Sequence, residues 1–179
     1  MTLTTHTGLV WDFDNLSKCV VDVRDVARAL SNLCRFGGHT RQFYSVAQHS
    51  VLCSYTVPGE YAAEALIHDA HEAYVVDIPA PLKERLPDYR DLEAVVEAHV
   101  RAGFAFYHPL SPAVHAADMD MRELEKAALV ATGKPDSTGG TKLHPIGQDC
   151  WEPDEAEANF LSRFKQLYQR RSLHMNNGG

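Results

Sequence analysis

The segment Leu66-Ile67-His68-Asp69-Ala70-His71-Glu72 sets an adjacent histidine and aspartate inside an apolar run. Both side chains are costly to bury without partners, and one divalent metal would satisfy both. Glu72 follows His68 by four residues and Asp69 by three, so on a helix it shares their face. There its carboxylate can take or relay a proton from water activated by a metal. Taken alone, the pair has a second, lesser reading as a hydrogen-bonded core pair. A closed metal shell needs ligands from other elements. The candidates are His49, in Val46-Ala47-Gln48-His49-Ser50, and Asp118, in His115-Ala116-Ala117-Asp118. His71-Glu72 begins like the zinc-protease signature HExxH, but Val75 stands where the second histidine is required, so that reading fails. A mixed imidazole and carboxylate shell suits zinc, cobalt, manganese or iron, and magnesium can enter with substrate phosphates.

Those residues need helices to position them. Asp22 reads as an N-cap, followed by Val23, Val26, Ala27, Leu30 and Leu33 at helical spacing and stopped by Gly37-Gly38. Ser45 to Tyr55 reads as a second helix. Glu60 to Val76, rich in alanine, reads as a third, broken by Pro79 and Pro81. Asp88 to Phe104 is a fourth, with Leu92, Val95, Val96, His99 and Val100 on one face. Ser111-Pro112 opens a fifth, to about Thr132, and Asp154 a last, to about Arg171. Residues 133–150 hold a Gly-, Pro-, Ser- and Thr-rich run that predicts a mobile loop, and 172–179 a frayed tail. Residues 1–21 form an N-terminal extension with room for a small β-element. The expectation is one compact all-α bundle spanning 1–179.

Composition narrows the function. The net charge of −7 argues against a nucleic-acid polymer as partner, though not against a nucleotide in a locally basic pocket. No run approaches the roughly 20 apolar residues of a membrane span, and the start lacks a signal-peptide pattern. Cys19, Cys34, Cys53 and Cys150 are scattered without a CxxC pair, which reads as free thiols in a reducing compartment. A cytoplasmic protein is expected.

The order His49 … His68-Asp69 … Asp118 resembles the HD-domain phosphohydrolase superfamily. With Leu33-Cys34-Arg35-Phe36 and Asp77-Ile78-Pro79-Ala80-Pro81-Leu82-Lys83, the chain looks like the bacterial 5′-deoxynucleotidases, and the RFGGHTRQFYSVAQHS run resembles small phage triphosphohydrolases that destroy dATP. The match spans roughly residues 22–126. It implies an HD-domain helical bundle with His49, His68, Asp69 and Asp118 as metal ligands and Glu72 as the residue acting on water. It implies Arg35 and Lys83 on phosphate oxygens, and Asp77 on sugar or water. Phe36 would stack on base or sugar, Pro79 would line the substrate site, and the assembly would be a homo-oligomer, a dimer or hexamer.

Three functions follow as expectations. The leading one is a dATP-preferring dNTP triphosphohydrolase. The second is a 5′-deoxynucleotidase acting on dNMPs. The third, of a different class, is a nucleotide-binding HD module without catalysis. Arg41 is a further candidate anion contact. Arg122 and Lys126 read as a solvated helix face.

Overall fold

The computed structural model describes residues 1–130 and 149–176. It is mostly helical, as expected. The chain opens with a two-stranded antiparallel hairpin, β1 (Thr2–Thr4) and β2 (Val10–Asp12), in which Leu3 pairs with Trp11. Trp11 is buried and stacks on Tyr74 at 3.5 Å between ring centroids, so the N-terminal segment is a packed part of the core rather than a loose extension. A 3₁₀ turn (Leu16–Lys18) leads to α1 (Val23–Asn32), whose N-cap is Asp22, accepting from the Arg24 N–H.

Helix α1 stops at Leu33, earlier than the Gly37-Gly38 stop read from sequence. Leu33 and Cys34 are extended, and Cys34 bridges to Ser45. Between them Arg35–Gly38 make a tight turn in which Phe36 and Gly37 both have positive φ. The two glycines serve this turn, not a helix terminus. Phe36 has no such freedom, and a bulky residue held at φ 56° stores strain.

Helix α2 (Val46–Thr56) is the centre of the fold. Residues 46–54 are all buried, against α1, α3, α7 and α8. A helix covered on every side must satisfy its polar residues internally. Gln48 donates to the Asp149 carbonyl and accepts from the Trp151 N–H, and Ser50 donates to the Val46 carbonyl. The cap is Ser45, which accepts from the Gln48 N–H.

The expected long third helix is broken. Helix α3 (Ala62–Ile67) and α4 (Glu72–Val75) are separated by His68–His71. Across the break the N–H groups of Ala70, Glu72, Ala73 and Tyr74 each bond the carbonyl three residues back. This tightened winding turns successive side chains by more than the 100° of an α-helix. Val76 ends α4 at φ 63°, a strained geometry for a β-branched residue. A short α5 (Ala80–Lys83) follows.

Helix α6 (Pro87–Gly103) buries Val96 and Val100, but Val95 is 58% exposed and Leu92 37%, so its inner face is narrower than expected. Helix α7 is Pro112–Leu129. Its N-cap Ser111 donates its hydroxyl to Glu64 instead of capping. Glu64 is also held by Arg101, joining α3, α6 and the start of α7. Helix α8 (Pro153–Asn176) packs on α1, α2 and α3 and continues past Arg171, the end read from sequence. Of the expected loop and tail, 133–148 and 177–179 lie outside the described residues, and Asp149 is tied to Gln48. Among the described residues, no helix is long and apolar enough to cross a membrane. All four cysteines are free thiols.

Candidate metal centre

Helix α2 supplies His49, the break after α3 supplies His68 and Asp69, and α7 supplies Asp118. The Nε2 atoms of His49 and His68 lie 3.3 Å apart. Asp118 Oδ1 is 3.1 Å from His49 Nε2 and 3.8 Å from His68 Nε2, and Asp69 Oδ2 is 3.6 Å and 3.2 Å from them. His68 and the adjacent Asp69 thus reach one point from the break, opposite His49 and Asp118.

The tautomers follow from the outer partners. His68 Nδ1 is 2.7 Å from the Ala65 carbonyl, which can only accept, so Nδ1 carries the proton. His49 Nδ1 is 2.7 Å from Glu125 Oε1 and donates to it. In the neutral rings both Nε2 lone pairs therefore face each other, with two carboxylates beside them. Only positive charge between these four acceptors, protons or a metal ion, makes the arrangement favourable. Donors held at about 2.0–2.2 Å by zinc stand about 3.3–3.6 Å apart in a tetrahedral shell, and the distances here, 3.1–3.8 Å, bracket that spacing. The residues fit a divalent metal.

The electrostatics agree. Burial, and Arg35 with it, disfavours charge on His49, but Cys53, Glu125 and Asp118 outweigh them and raise it well above the ordinary 6.5. Burial opposes His68 too, and Asp69 and Asp118 outweigh it. Burial favours neutral Asp69 and Asp118, yet the histidines hold both below the ordinary carboxylate range. The cluster draws in positive charge.

Sequence reasoning missed Glu125. It is fully buried on α7 and accepts from His49 Nδ1, from the Tyr44 hydroxyl at 2.7 Å and from Arg35 Nε at 3.1 Å. Its position seven residues after Asp118, two turns along one helix face, was the available signal. Carboxylates that orient a metal-binding histidine in this way are common partners of such centres. Cys53 was also missed. Its Sγ lies 3.5 Å from His49 Nε2, one turn along α2, and it groups with both histidines.

A cleft of about 600 Å³ opens over the centre, lined by Asp69, Asp118, Glu72, Asp77, Arg35, Phe36, Pro79 and Lys83, so the residues that the sequence assigns to a substrate site share one cleft. Arg35 is buried, and its NH1 is 3.5 Å from Asp69 Oδ2. Phe36 lies beneath its guanidinium at 5.6 Å. Glu72 is buried, and its Oε2 has no hydrogen-bond partner among the described residues. Burial first, then Asp69 and Asp77, push its carboxyl well above the usual range. Burial also raises Asp77.

Lys83 reaches the cleft but ion-pairs with Glu93 of α6, unnoticed in the sequence. Glu93 also lies 3.7 Å from His71 Nε2 and accepts from the Tyr89 hydroxyl. Burial would raise Glu93, but the hydrogen bonds from His71 and Lys83 hold it down at about 2. His71 thus turns away from the metal donors. Arg122 and Lys126, expected on a solvated face, line the cleft. Arg41 does not line it; its guanidinium and N–H bind the Ala128 and Leu129 carbonyls, fixing the loop to α7.

No protein-family model matches the chain. It is 40% identical over 178 residues to the uncharacterized protein YfdR of Escherichia coli (strain K12), covering 94% of this chain and 97% of that one. At that identity and coverage, the chain belongs to the same family as YfdR.

Proposed function

We propose that this protein is an HD-domain metal-dependent phosphohydrolase that hydrolyses a deoxynucleoside triphosphate, dATP first among them, to the deoxynucleoside and triphosphate. The observation carrying the proposal is the pair of imidazoles locked by outer partners so that both Nε2 lone pairs converge with Asp69 and Asp118 under an open cleft. A bundle core gains nothing from such a juxtaposition. His49, His68, Asp69 and Asp118 would hold the metal, which when bound supplies charge stabilisation at phosphorus and a more acidic water.

The remaining chemistry belongs to the chain. Glu72 is buried beside the ligand carboxylates with one oxygen unpartnered, suited to accept a proton from water and return it to the leaving group. A bound cation counters the burial that keeps it neutral. Arg35 is aimed by Glu125 and Asp69, so its fork is oriented before phosphate arrives. Lys83 is aimed by Glu93. Asp77 sits at the cleft wall for the sugar, and Phe36 offers a face to sugar or base. The loop carrying Phe36 packs close to Pro79, placing Gly37 where an added Cβ would lie 3.7 Å from the ring.

The triphosphate reading draws support from four cations along one cleft: Arg35, Lys83, Arg122 and Lys126. A 5′-deoxynucleotidase is the second reading, favoured by the pairing of the two deepest cations, Arg35 and Lys83, which together suffice for one phosphate. Product analysis separates them. Purified protein is incubated with each dNTP and dNMP and with Mg²⁺, Mn²⁺, Co²⁺ or Zn²⁺, and products are resolved by ion exchange. Deoxynucleoside plus triphosphate is the expected result. Deoxynucleoside plus phosphate from dNMPs alone would replace it with the nucleotidase. Binding without turnover under every metal would overturn both and leave a nucleotide-binding module.

A further inference from the structure

We infer that Tyr89 is a positioning residue for this site: its hydroxyl clamps the strained turn at Val76 that carries Asp77 into the cleft. The inference rests on the proposed function, in which Asp77 meets the sugar, and adds a residue from outside the cleft lining. Val76 ends α4 at φ 63° and ψ 162°, a conformation that is essentially glycine's. Its side chain is 48% exposed, so packing does not hold it there. The next residue, Asp77, lines the cleft, and its direction depends on the two backbone torsions of Val76.

Polar contacts hold the turn instead. The Val76 N–H donates to the Glu72 carbonyl at 2.9 Å. Tyr89 Oη lies 3.1 Å from the Val75 carbonyl oxygen and 3.0 Å from that of Val76, the two oxygens that flank the strained torsions. No backbone N–H among the described residues donates to either oxygen. Pro79, four residues after Val75, has none to give. Tyr89 Oη is also 3.2 Å from Glu93 Oε1, but Glu93 already accepts from Lys83, so the carbonyls are the acceptors that depend on the tyrosine. Burial first, then Glu93, raise the phenol above its ordinary range, and it keeps the proton that the clamp needs. Tyr89 and Glu93 stand one turn apart on α6, so one helix face serves two cleft residues: Glu93 holds Lys83, and Tyr89 holds the turn before Asp77. The competing role is a tyrosine whose ring only packs against the core, a role that phenylalanine would keep.

Steady-state kinetics of the full-length, metal-loaded protein, on the deoxynucleotide that the wild type turns over, decides between them. Each variant is checked for unchanged circular dichroism. Tyr89→Phe should raise KM about three- to tenfold, the worth of one hydrogen bond. Its kcat should stay within about twofold, the pattern of lost ground-state binding. Inhibition by inorganic triphosphate, which has no sugar, should be unchanged. Adding Val76→Gly to Tyr89→Phe should restore KM, because glycine takes this conformation without strain. Adding Val76→Ala should not, and Val76→Gly alone should change neither constant. An unchanged KM in Tyr89→Phe, a fall in kcat at constant KM, or no difference between glycine and alanine in the rescue would overturn the inference and leave the deoxynucleotide reading standing. No turnover by the wild type with any metal would overturn that reading instead. Hydrogen exchange at the Val76 amide would then judge the clamp: Tyr89→Phe should speed it about three- to tenfold, and an unchanged rate would overturn the inference as well.

Discussion

The floor of the cleft and its rim are built differently. On the floor, each donor comes from a helix or its immediate end, and three of the four have an outer partner: Glu125 for His49, the Ala65 carbonyl for His68 and Arg35 for Asp69. The rim rests on short turns, with strained backbone at Phe36 and Val76, and its cations are restrained by acids of the same chain. The floor could hold one ion. On the proposed function, the rim would take a ligand that brings enough negative charge to compete with Glu93 and Glu125, so that metal affinity would rest on the floor and substrate selection on the rim.

The largest expected effect breaks the floor. His68→Ala or Asp69→Ala should lose both metal and turnover to background while the far-ultraviolet circular dichroism stays unchanged; activity with full metal in either variant would end the assignment. Glu72→Gln tests whether floor and chemistry separate. It should lower kcat about 10²–10⁴-fold with metal content intact, and a change confined to KM would remove Glu72 from proton transfer.

Glu125 links the two regions. Glu125→Gln should weaken metal binding about 10–100-fold by loosening His49, read by competition with a chromogenic chelator. Glu125→Ala leaves Arg35 and the Tyr44 hydroxyl buried without their acceptor, and should cost about 3–5 kcal/mol in urea unfolding.

The pH dependence sharpens the same contrast. His49 and His68 are raised above 6.5 in the metal-free protein, so their contribution to stability is full below 6.5 and is lost as pH rises through the folded values. Asp69 and Asp118, lowered from 3.8, contribute above that value and lose it as pH falls through their depressed folded values. A metal bound at this centre would replace the histidine protons. The metal-induced rise in Tm should therefore grow from pH 6 to pH 8.5, and a flat profile would mean that metal binds elsewhere. The smallest effect belongs to the outer rim. Arg122→Ala with Lys126→Ala should raise KM for a dNTP a few-fold, as partly exposed charges are worth about 1 kcal/mol or less each, and leave KM for a dNMP unchanged.

Much of this layout was legible in the sequence because candidate metal donors are particular residue types set in otherwise apolar or small-residue runs. The cap at Asp22 and the spans of α2, α6 and α7 were readable because periodicity and capping are local. The break at His68–His71 was not. Alanine-rich sequence favours a continuous helix, and no capping or breaking residue marks His68–His71 as a break. Glu125, Glu93 and Cys53 were missed because an acid or thiol far along the chain gains meaning only when folding sets it against an imidazole or ammonium. Arg122 and Lys126 looked solvated because helical spacing does not reveal that α7 borders the cleft.

Elemental analysis of purified protein tests the central claim most directly. Wild type and the four single variants His49→Ala, His68→Ala, Asp69→Ala and Asp118→Ala would be measured for bound divalent metal alongside dNTP hydrolysis. The account predicts about one ion per chain in the wild type, as a single four-donor shell implies, and near none in each variant, with hydrolysis lost in step. Full metal retained in the variants, or hydrolysis by thoroughly stripped wild type, would contradict it.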